Sequence, residues 1–159
     1  MDKLATEVLA ACRVRGWTLA TAESCTGGMV VAALTGIAGS SDVVDRGYVT
    51  YSNAAKMQML GVRAETLNLF GAVSECTALE MAKGAMQGAD ADLAVSITGI
   101  AGPGPSEHKP EGRVCFGLAQ KSEEPHVETV EFGAIGRENV RKKSAEFALI
   151  LLLDAANKS

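Results

Sequence analysis

Ser24 is the first residue whose type and setting could do chemistry. It follows a short apolar run, 17–22, and comes just before two glycines, Gly27 and Gly28. A serine at the exit of a strand is exposed to a cleft, and the N–H groups after it can stabilise an oxyanion. The same position is typical of a helix N-cap. The neighbouring Cys25 carries the better intrinsic nucleophile and is an alternative.

A serine nucleophile needs a base, and Lys56 is the best candidate in this sequence. The two histidines, His108 and His126, lie in a long loop and beside a predicted hairpin. A lysine that is desolvated in a cleft can lose its proton near neutral pH and serve as a base. Lys56 follows a predicted strand, 47–51, whose exit is expected at the same sheet edge as the serine. The alternative is a solvated surface charge.

A second glycine-bearing turn follows another predicted strand. Thr98 and Gly99 come directly after the apolar run 93–97, and Gly102 follows them. Ligands of α/β sheets bind beyond the carboxyl ends of strands, and glycines let free N–H groups approach an anion such as phosphate. Glycines also serve simple tight turns, and neither turn matches a P-loop or a GxGxxG motif. Two such turns together favour a binding cleft.

Helices alternate with strands along the chain, as in a layered α/β fold. Apolar spacing predicts helices at about 4–15, 29–34, 53–60, 64–70, 74–88 and 137–156. Strands are predicted at 17–22, 47–51, 93–97, 113–120 and 126–132, the last two forming a hairpin. The fifteen residues 98–112 form a loop of a length that is usually functional or mobile.

Composition excludes several classes of protein. The 159 residues carry 15 Lys plus Arg against 19 Asp plus Glu, and 47% are apolar, which predicts one compact domain over 1–159. The acidic balance argues against nucleic acid, and no apolar run is long enough to cross a membrane. The charged N-terminus is unlike a signal peptide, so a cytoplasmic location is expected. No metal site is expected from the cysteine and histidine spacing, and Cys12 and Cys76 are expected in the core.

The last predicted helix is apolar almost all the way round between Phe147 and Leu153. A helix that is apolar on every side lies inside a large core or against a second subunit. In a chain of 159 residues the second interpretation is favoured, so a homodimer is predicted.

Four motifs in order resemble those of the CinA C-terminal domain family, over about residues 5–155. The segments that carry the resemblance are 21–28 (TAESCTGG), 47–53 (GYVTYSN) with Lys56, 71–75 (GAVSE) and 98–103 (TGIAGP). The resemblance implies a three-layer α/β/α sandwich with a mixed sheet, which is usually dimeric. It also implies hydrolysis of the carboxamide of nicotinamide mononucleotide (NMN) to nicotinate mononucleotide and ammonia, without a metal or cofactor, in pyridine nucleotide salvage.

The family pattern implies roles for individual residues. Ser24 would be the nucleophile and Lys56 its base, with Tyr51 close to the pair. Substrate contacts are expected in the two turns and at the start of the last helix, from Thr26, Gly27, Gly28, Thr98, Gly99 and Arg137. The positive end of that helix would also favour the substrate phosphate.

The cationic cluster at the start of the last helix leaves the phosphate contact open. Arg141, Lys142 and Lys143 follow Arg137 closely, and any of them could reach the ligand. Two other functions also stay open, namely hydrolysis of another small amide or ester and a nucleotide-binding regulatory module without catalysis.

Overall fold

The computed structural model describes residues 1–158 and shows a five-stranded mixed sheet between two layers of helices. The helices are α1 (Asp2–Arg15), α2 (Met29–Thr35), α3 (Asn53–Leu60), α4 (Ala64–Phe70), α5 (Glu75–Ala89) and α6 (Arg137–Asn157). The strands are β1 (Leu19–Glu23), β2 (Val44–Val49), β3 (Leu93–Gly99), β4 (Arg113–Gln120) and β5 (His126–Glu131).

The strand order is β2-β1-β3-β4-β5. Strand β1 pairs in parallel with both β2 and β3, whereas β4 and β5 are antiparallel additions. Helices α1, α2 and α6 cover one face of the sheet, and α3, α4 and α5 cover the other. The predicted three-layer α/β/α sandwich with a mixed sheet is therefore confirmed.

Alternation along β3 assigns different side chains to the two faces. Leu93, Val95 and Ile97 belong to the large apolar cluster beneath α1 and α6. The opposite face carries small side chains, including Ser96, whose hydroxyl donates to the Ala78 carbonyl at 2.5 Å. Successive strand residues point to opposite faces, so this division follows from the pleat.

Helix α5 packs closely on the sheet because glycine and alanine lie beneath it. A Cβ on Gly117 in β4 would overlap the Ala78 carbonyl oxygen of α5. Ala20, Ala22 and Ala94 add further small, fully buried side chains on this face. The close packing fixes the start of α5, and with it one wall of the cleft described below.

Strand β2 begins and ends earlier than its predicted span, 47–51. It runs from Val44 to Val49, so Tyr51 lies beyond its end. The first half of β2 includes Asp45 and Arg46, which are exposed at the sheet edge and give no apolar signal in the sequence. The alternation of side chains along β2 therefore does not determine where the Tyr51 side chain points, because the strand ends two residues earlier.

Helix α6 buries most of its apolar stretch within one chain. Leu149, Leu151 and Leu152 are buried, and Ile150 is 39% exposed. The homodimer expected from this stretch stays a prediction. Over residues 1–158, no helix is both long and apolar enough to cross a membrane.

Candidate active site

The turn after β1 is held in place by the buried carboxylate of Glu23. Its oxygens accept hydrogen bonds from the Thr26 hydroxyl at 2.7 Å, the Val30 N–H at 2.9 Å and the Val31 N–H at 3.1 Å. Two of these donors are N–H groups of the first turn of α2, which have no acceptor within the helix itself. A negative charge is favourable at this end of a helix. Glu23 therefore ties β1 to α2, and Ser24 lies between them.

Lys56 contacts the Ser24 hydroxyl directly. The two atoms, Lys56 Nζ and Ser24 Oγ, lie 3.0 Å apart, and Nζ also donates to the Thr50 carbonyl at 3.0 Å. Lys56 is 1% exposed and Ser24 is 8% exposed. The structure thus brings together the two residues that the sequence analysis paired.

Local geometry explains how a lysine 32 positions away reaches this point. The Thr50 N–H donates to the Glu23 carbonyl at 2.9 Å, which extends the parallel β1–β2 pairing beyond the end of β2. Ser52 then caps α3 by accepting a hydrogen bond from the Ala55 N–H at 3.0 Å. Lys56 lies in the first turn of α3, and its side chain returns beneath the two strand ends.

The surroundings of Lys56 favour its uncharged form. Burial lowers the pKa of Lys56, because the ammonium loses hydration, and the carboxylate of Glu107 opposes the effect only in part. An uncharged amine can accept a proton from the Ser24 hydroxyl, as a general base must. The pair has the geometry and the electrostatics for acyl transfer.

Cys25 is poorly suited to the alternative role of nucleophile. Its side chain belongs to the apolar cluster beneath α6 and is 6% exposed. Burial raises the pKa of the Cys25 thiol to about 12. The thiolate is the reactive form, so this thiol is unreactive near neutral pH.

The Ser24–Lys56 pair opens into a cleft of about 310 Å³, within the range of roughly 300–1,000 Å³ that is typical of small-molecule sites. Backbone and side chains of five segments form it. The lining residues are Ser24, Cys25, Tyr51, Asn53, Lys56, Ala72, Val73, 98–107 and Arg137.

The long loop forms one wall of this cleft and is fixed to the rest of the protein. Lys109 Nζ donates to the carbonyls of Phe70 and Val73, both at 2.6 Å. Ser106 and Lys109 exchange backbone hydrogen bonds at 3.1 and 2.8 Å. Glu107, which sequence reasoning did not single out, lines the cleft, whereas His108 is exposed and outside the lining.

Arg137 and Tyr51 interact at the mouth of the cleft. Arg137 donates to the Gly102 carbonyl at 2.6 Å and to the Tyr51 hydroxyl at 3.1 Å. Tyr51 is 63% exposed, and within residues 1–158 its hydroxyl makes no hydrogen bond to Ser24 or Lys56. Tyr51 shares the cleft with the pair, but its contact is with the arginine.

Thr98 and Gly99 lie in the cleft wall as expected from their position after β3. The Thr98 hydroxyl donates to the Ala72 carbonyl at 2.7 Å, which joins β3 to the segment before α5. Its second lone pair remains able to accept a hydrogen bond.

Three residues expected at the substrate lie outside the lining of the cleft. The Thr26 side chain is fully buried, and its hydroxyl is used by Glu23. Gly27 and Gly28 have positive φ values of 59° and 105°, and Gly28 is the N-cap of α2. Gly27 and Gly28 therefore serve the turn geometry, which glycine adopts at low cost, and the direct substrate contacts expected of these three residues stay a prediction.

The cationic cluster divides into separate roles. Arg141 donates to the carbonyls of Cys25 and Thr26 at 3.1 and 3.4 Å. Lys142 pairs with Glu138 at 2.9 Å, on the exposed side of α6. Only Arg137 of these four cations lines the cleft. In residues 1–158 no group of three or more His, Cys, Asp or Glu side chains is arranged to hold a metal ion.

The fold and the cleft define a domain type found in known proteins. The profile of the CinA C-terminal domain matches residues 1–156. The chain belongs to the CinA C-terminal domain family.

Two similar curated proteins are described as nicotinamide-nucleotide amidohydrolase PncC. The one from Enterobacter agglomerans is 49% identical over 150 residues, which cover 94% of this chain and 91% of that protein. The one from Escherichia coli K12 is 51% identical over 148 residues, which cover 92% of this chain and 89% of that protein. A CinA-like protein from Syntrophobacter fumaroxidans is 52% identical over 141 residues, which cover 88% of this chain but 33% of that protein.

Solved structures show the same architecture. The competence/damage inducible protein CihA from Agrobacterium tumefaciens superposes with a TM-score of 0.94 at 47% identity, covering 99% of this chain and 95% of that one. The competence damage-inducible protein A from Klebsiella pneumoniae gives a TM-score of 0.94 at 39% identity, covering 99% and 98% of the two chains.

Proposed function

We propose that this protein hydrolyses the carboxamide of NMN to nicotinate mononucleotide and ammonia, a step of pyridine nucleotide salvage. The observation that carries the proposal is the 3.0 Å contact between Lys56 Nζ and Ser24 Oγ at the floor of a cleft. The choice of substrate is supported by the two relatives described as nicotinamide-nucleotide amidohydrolases, each about half identical to this chain.

In the proposed first step Ser24 Oγ attacks the amide carbon while its proton passes to uncharged Lys56. The buried position of Lys56 supports this role, because burial lowers its pKa. The carbonyl of Thr50 accepts one N–H of the amine, which leaves the nitrogen lone pair for the serine proton. The electron-poor pyridinium ring of NMN makes its carboxamide a good electrophile, so a pair without a third member is sufficient.

The tetrahedral oxyanion needs hydrogen-bond donors, and the turn after Ser24 offers one. Among the backbone hydrogen bonds of residues 1–158, the N–H of Cys25, the residue after the nucleophile, is paired with no carbonyl. Cys25 also lines the cleft. A preorganised N–H in such a position is worth about 10²- to 10³-fold in kcat.

The remaining steps return the enzyme to its starting state. The C–N bond breaks as Lys56 gives its proton to the departing ammonia, which leaves a nicotinoyl ester on Ser24. Water then attacks the ester and gives a proton to Lys56. The ester bond breaks, and the proton passes back to Ser24 Oγ, so water is the only co-substrate and no metal or cofactor is required.

Substrate orientation is proposed to come from the other lining residues. Arg137 lies at the start of α6, where its guanidinium and the positive end of the helix both favour a phosphate. Tyr51 holds this arginine through its hydroxyl. Thr98 and Gly99 are proposed to contact the nicotinamide end, because they lie in the wall beside Ser24.

A homodimer and a cytoplasmic location belong to the same proposal. Apolar groups lie on the outer face of α1 and α6, including Val14, which is 89% exposed, and Leu153, which is partly buried. A second subunit over this face would remove them from water. Light scattering on the purified protein measures the oligomeric state, and a monomeric mass would contradict the proposed dimer.

Ammonia release tests the proposed activity. The wild-type protein is incubated with NMN, with nicotinamide riboside and with nicotinamide, and ammonia is measured by a coupled assay. We expect release from NMN, and much less from the two compounds that lack the phosphate. A Ser24→Ala variant should bind NMN in calorimetry yet release no ammonia. Absence of release from NMN by the wild type would contradict the proposal.

A further inference from the structure

Arg141 makes a contact that the proposed chemistry does not use. Its guanidinium donates from Nε to the Cys25 carbonyl at 3.1 Å and from Nη2 to the Thr26 carbonyl at 3.4 Å. The contact joins α6 to the turn that carries Ser24 across more than a hundred residues of sequence. It is partly buried, so water competes with it less than at the surface.

Both sides of this contact are shaped by their surroundings, α6 by its burial and the turn by a glycine. Arg141 follows Val140, which is fully buried, and Ser144 one turn later is fully buried as well, so α6 is fixed at this point. On the other side Gly27 leaves the space for the guanidinium, because a Cβ there would lie 3.3 Å from Arg141 Nη2. Gly27 also has a positive φ of 59°, which the turn requires.

We propose that Arg141 is a positioning residue for the nucleophile turn and not a contact of the substrate phosphate. This inference rests on the proposed function. A carbonyl and the N–H of the same peptide are rigidly coupled, because the peptide unit is planar. By fixing the Cys25 and Thr26 carbonyls, Arg141 fixes the peptide planes that carry the Thr26 and Gly27 N–H groups. The Gly27 N–H in turn holds the Ser24 carbonyl at 3.0 Å, and this carbonyl shares its peptide plane with the Cys25 N–H, the proposed oxyanion donor.

Backbone hydrogen bonds alone fix only part of the turn that follows Ser24. The Gly27 N–H donates to the Ser24 carbonyl at 3.0 Å and the Met29 N–H donates to the Thr26 carbonyl at 3.1 Å, but among these backbone hydrogen bonds of residues 1–158 none holds the Cys25 carbonyl. Glu23 holds the turn from the α2 side. Arg141 supplies the corresponding anchor from α6, so the nucleophile is fixed from both neighbouring helices.

Positioning and phosphate binding predict different kinetic changes. Loss of a positioning residue lowers kcat, by about 10²-fold for a displacement near 1 Å, and changes KM little. Loss of a phosphate contact, as expected for Arg137, raises KM for NMN. The two arginines lie one helical turn apart on α6, so they form a matched pair for this comparison.

The experiment compares Arg141→Ala and Arg141→Lys with Arg137→Ala and a control, Lys142→Ala, which removes a neighbouring exposed charge. We measure kcat and KM for NMN, with and without added guanidinium ion at millimolar concentration. Arg141→Ala should lose about 10²-fold in kcat with KM near the wild-type value. Added guanidinium should restore part of the activity, and Arg141→Lys should retain more than Arg141→Ala.

A second measurement does not depend on NMN. The rate at which an alkyl fluorophosphonate labels Ser24 reports the geometry of the nucleophile and its oxyanion donor alone. Slower labelling of Arg141→Ala than of Lys142→Ala supports the inference even if the wild type fails to hydrolyse NMN, which would overturn the proposed function by itself. Wild-type labelling by Arg141→Ala, or a raised KM with unchanged kcat, would overturn the role of Arg141.

Discussion

Replacing Lys56 with Met tests the most unusual feature of the site, a buried amine beside a hydroxyl. Methionine keeps an unbranched apolar chain in the same space and removes only the basic group. Lys56 is 1% exposed, so the replacement needs no new cavity. We expect kcat for ammonia release to fall by about 10²- to 10⁴-fold, the usual contribution of a general base.

The same variant should change how stability depends on pH. Burial lowers the pKa of Lys56 in the folded protein below its ordinary value of 10.5, so the unfolded chain binds a proton that the folded chain does not. The free energy of unfolding of the wild type therefore falls as pH drops from 10.5 to the folded-state pKa, by at most about 1.4 kcal/mol per pH unit. Below that pKa the loss is constant.

Lys56→Met lacks this proton linkage. Relative to the wild type, the variant should become more stable as the pH is lowered through this window, although its activity is lost. Urea unfolding at several pH values between 7 and 10 measures the difference, and the exposed Lys83→Met on α5 is the matched control with no such trend. A pH-independent difference, or a variant that still releases ammonia at the wild-type rate, would refute the role assigned to Lys56.

Three further predictions concern the rest of the site and the core. The kcat of the wild type should rise with pH from the acid side to a plateau as Lys56 loses its proton, and a flat profile across that range would contradict an amine base. Cys25→Ala should keep the kcat of the wild type because the thiol is buried with a pKa of about 12, and loss of ammonia release would make the thiol the nucleophile. Gly117→Ala should lower the free energy of unfolding by about 1–3 kcal/mol through overlap with the Ala78 carbonyl, and an unchanged urea midpoint would show that α5 can shift.

The fold and the central pair were predictable because they follow from simple regularities. Parallel strands end at the same sheet edge, so a serine after β1 and a lysine after β2 are brought close together. Alternation along β2 alone would place residues 48 and 51 on opposite sides, and Tyr48 does pack against α5 while Tyr51 lines the cleft. Tyr51 lies beyond the end of the strand, so alternation does not by itself explain its direction.

The details of the turns were not predictable from sequence patterns. Thr26 was expected at the substrate, but its hydroxyl binds Glu23, and that choice depends on side-chain directions within a tight turn. The contact of Arg141 with this turn depends on how α6 crosses the sheet, which has no local signal. Cys76 was expected in the core but is exposed. It lies on the outward face of the first turn of α5, and which face points outward is set by how the helix packs.

The most direct test of the account is to identify the residue that carries the acyl group during turnover. Wild-type protein is mixed with NMN, quenched in acid within the first turnovers, digested and analysed by mass spectrometry. We predict an ester-linked nicotinate mononucleotide group on Ser24 that is absent in Ser24→Ala. An adduct on Cys25, or ammonia release by Ser24→Ala at the wild-type rate, would contradict the claim that Ser24 is the nucleophile.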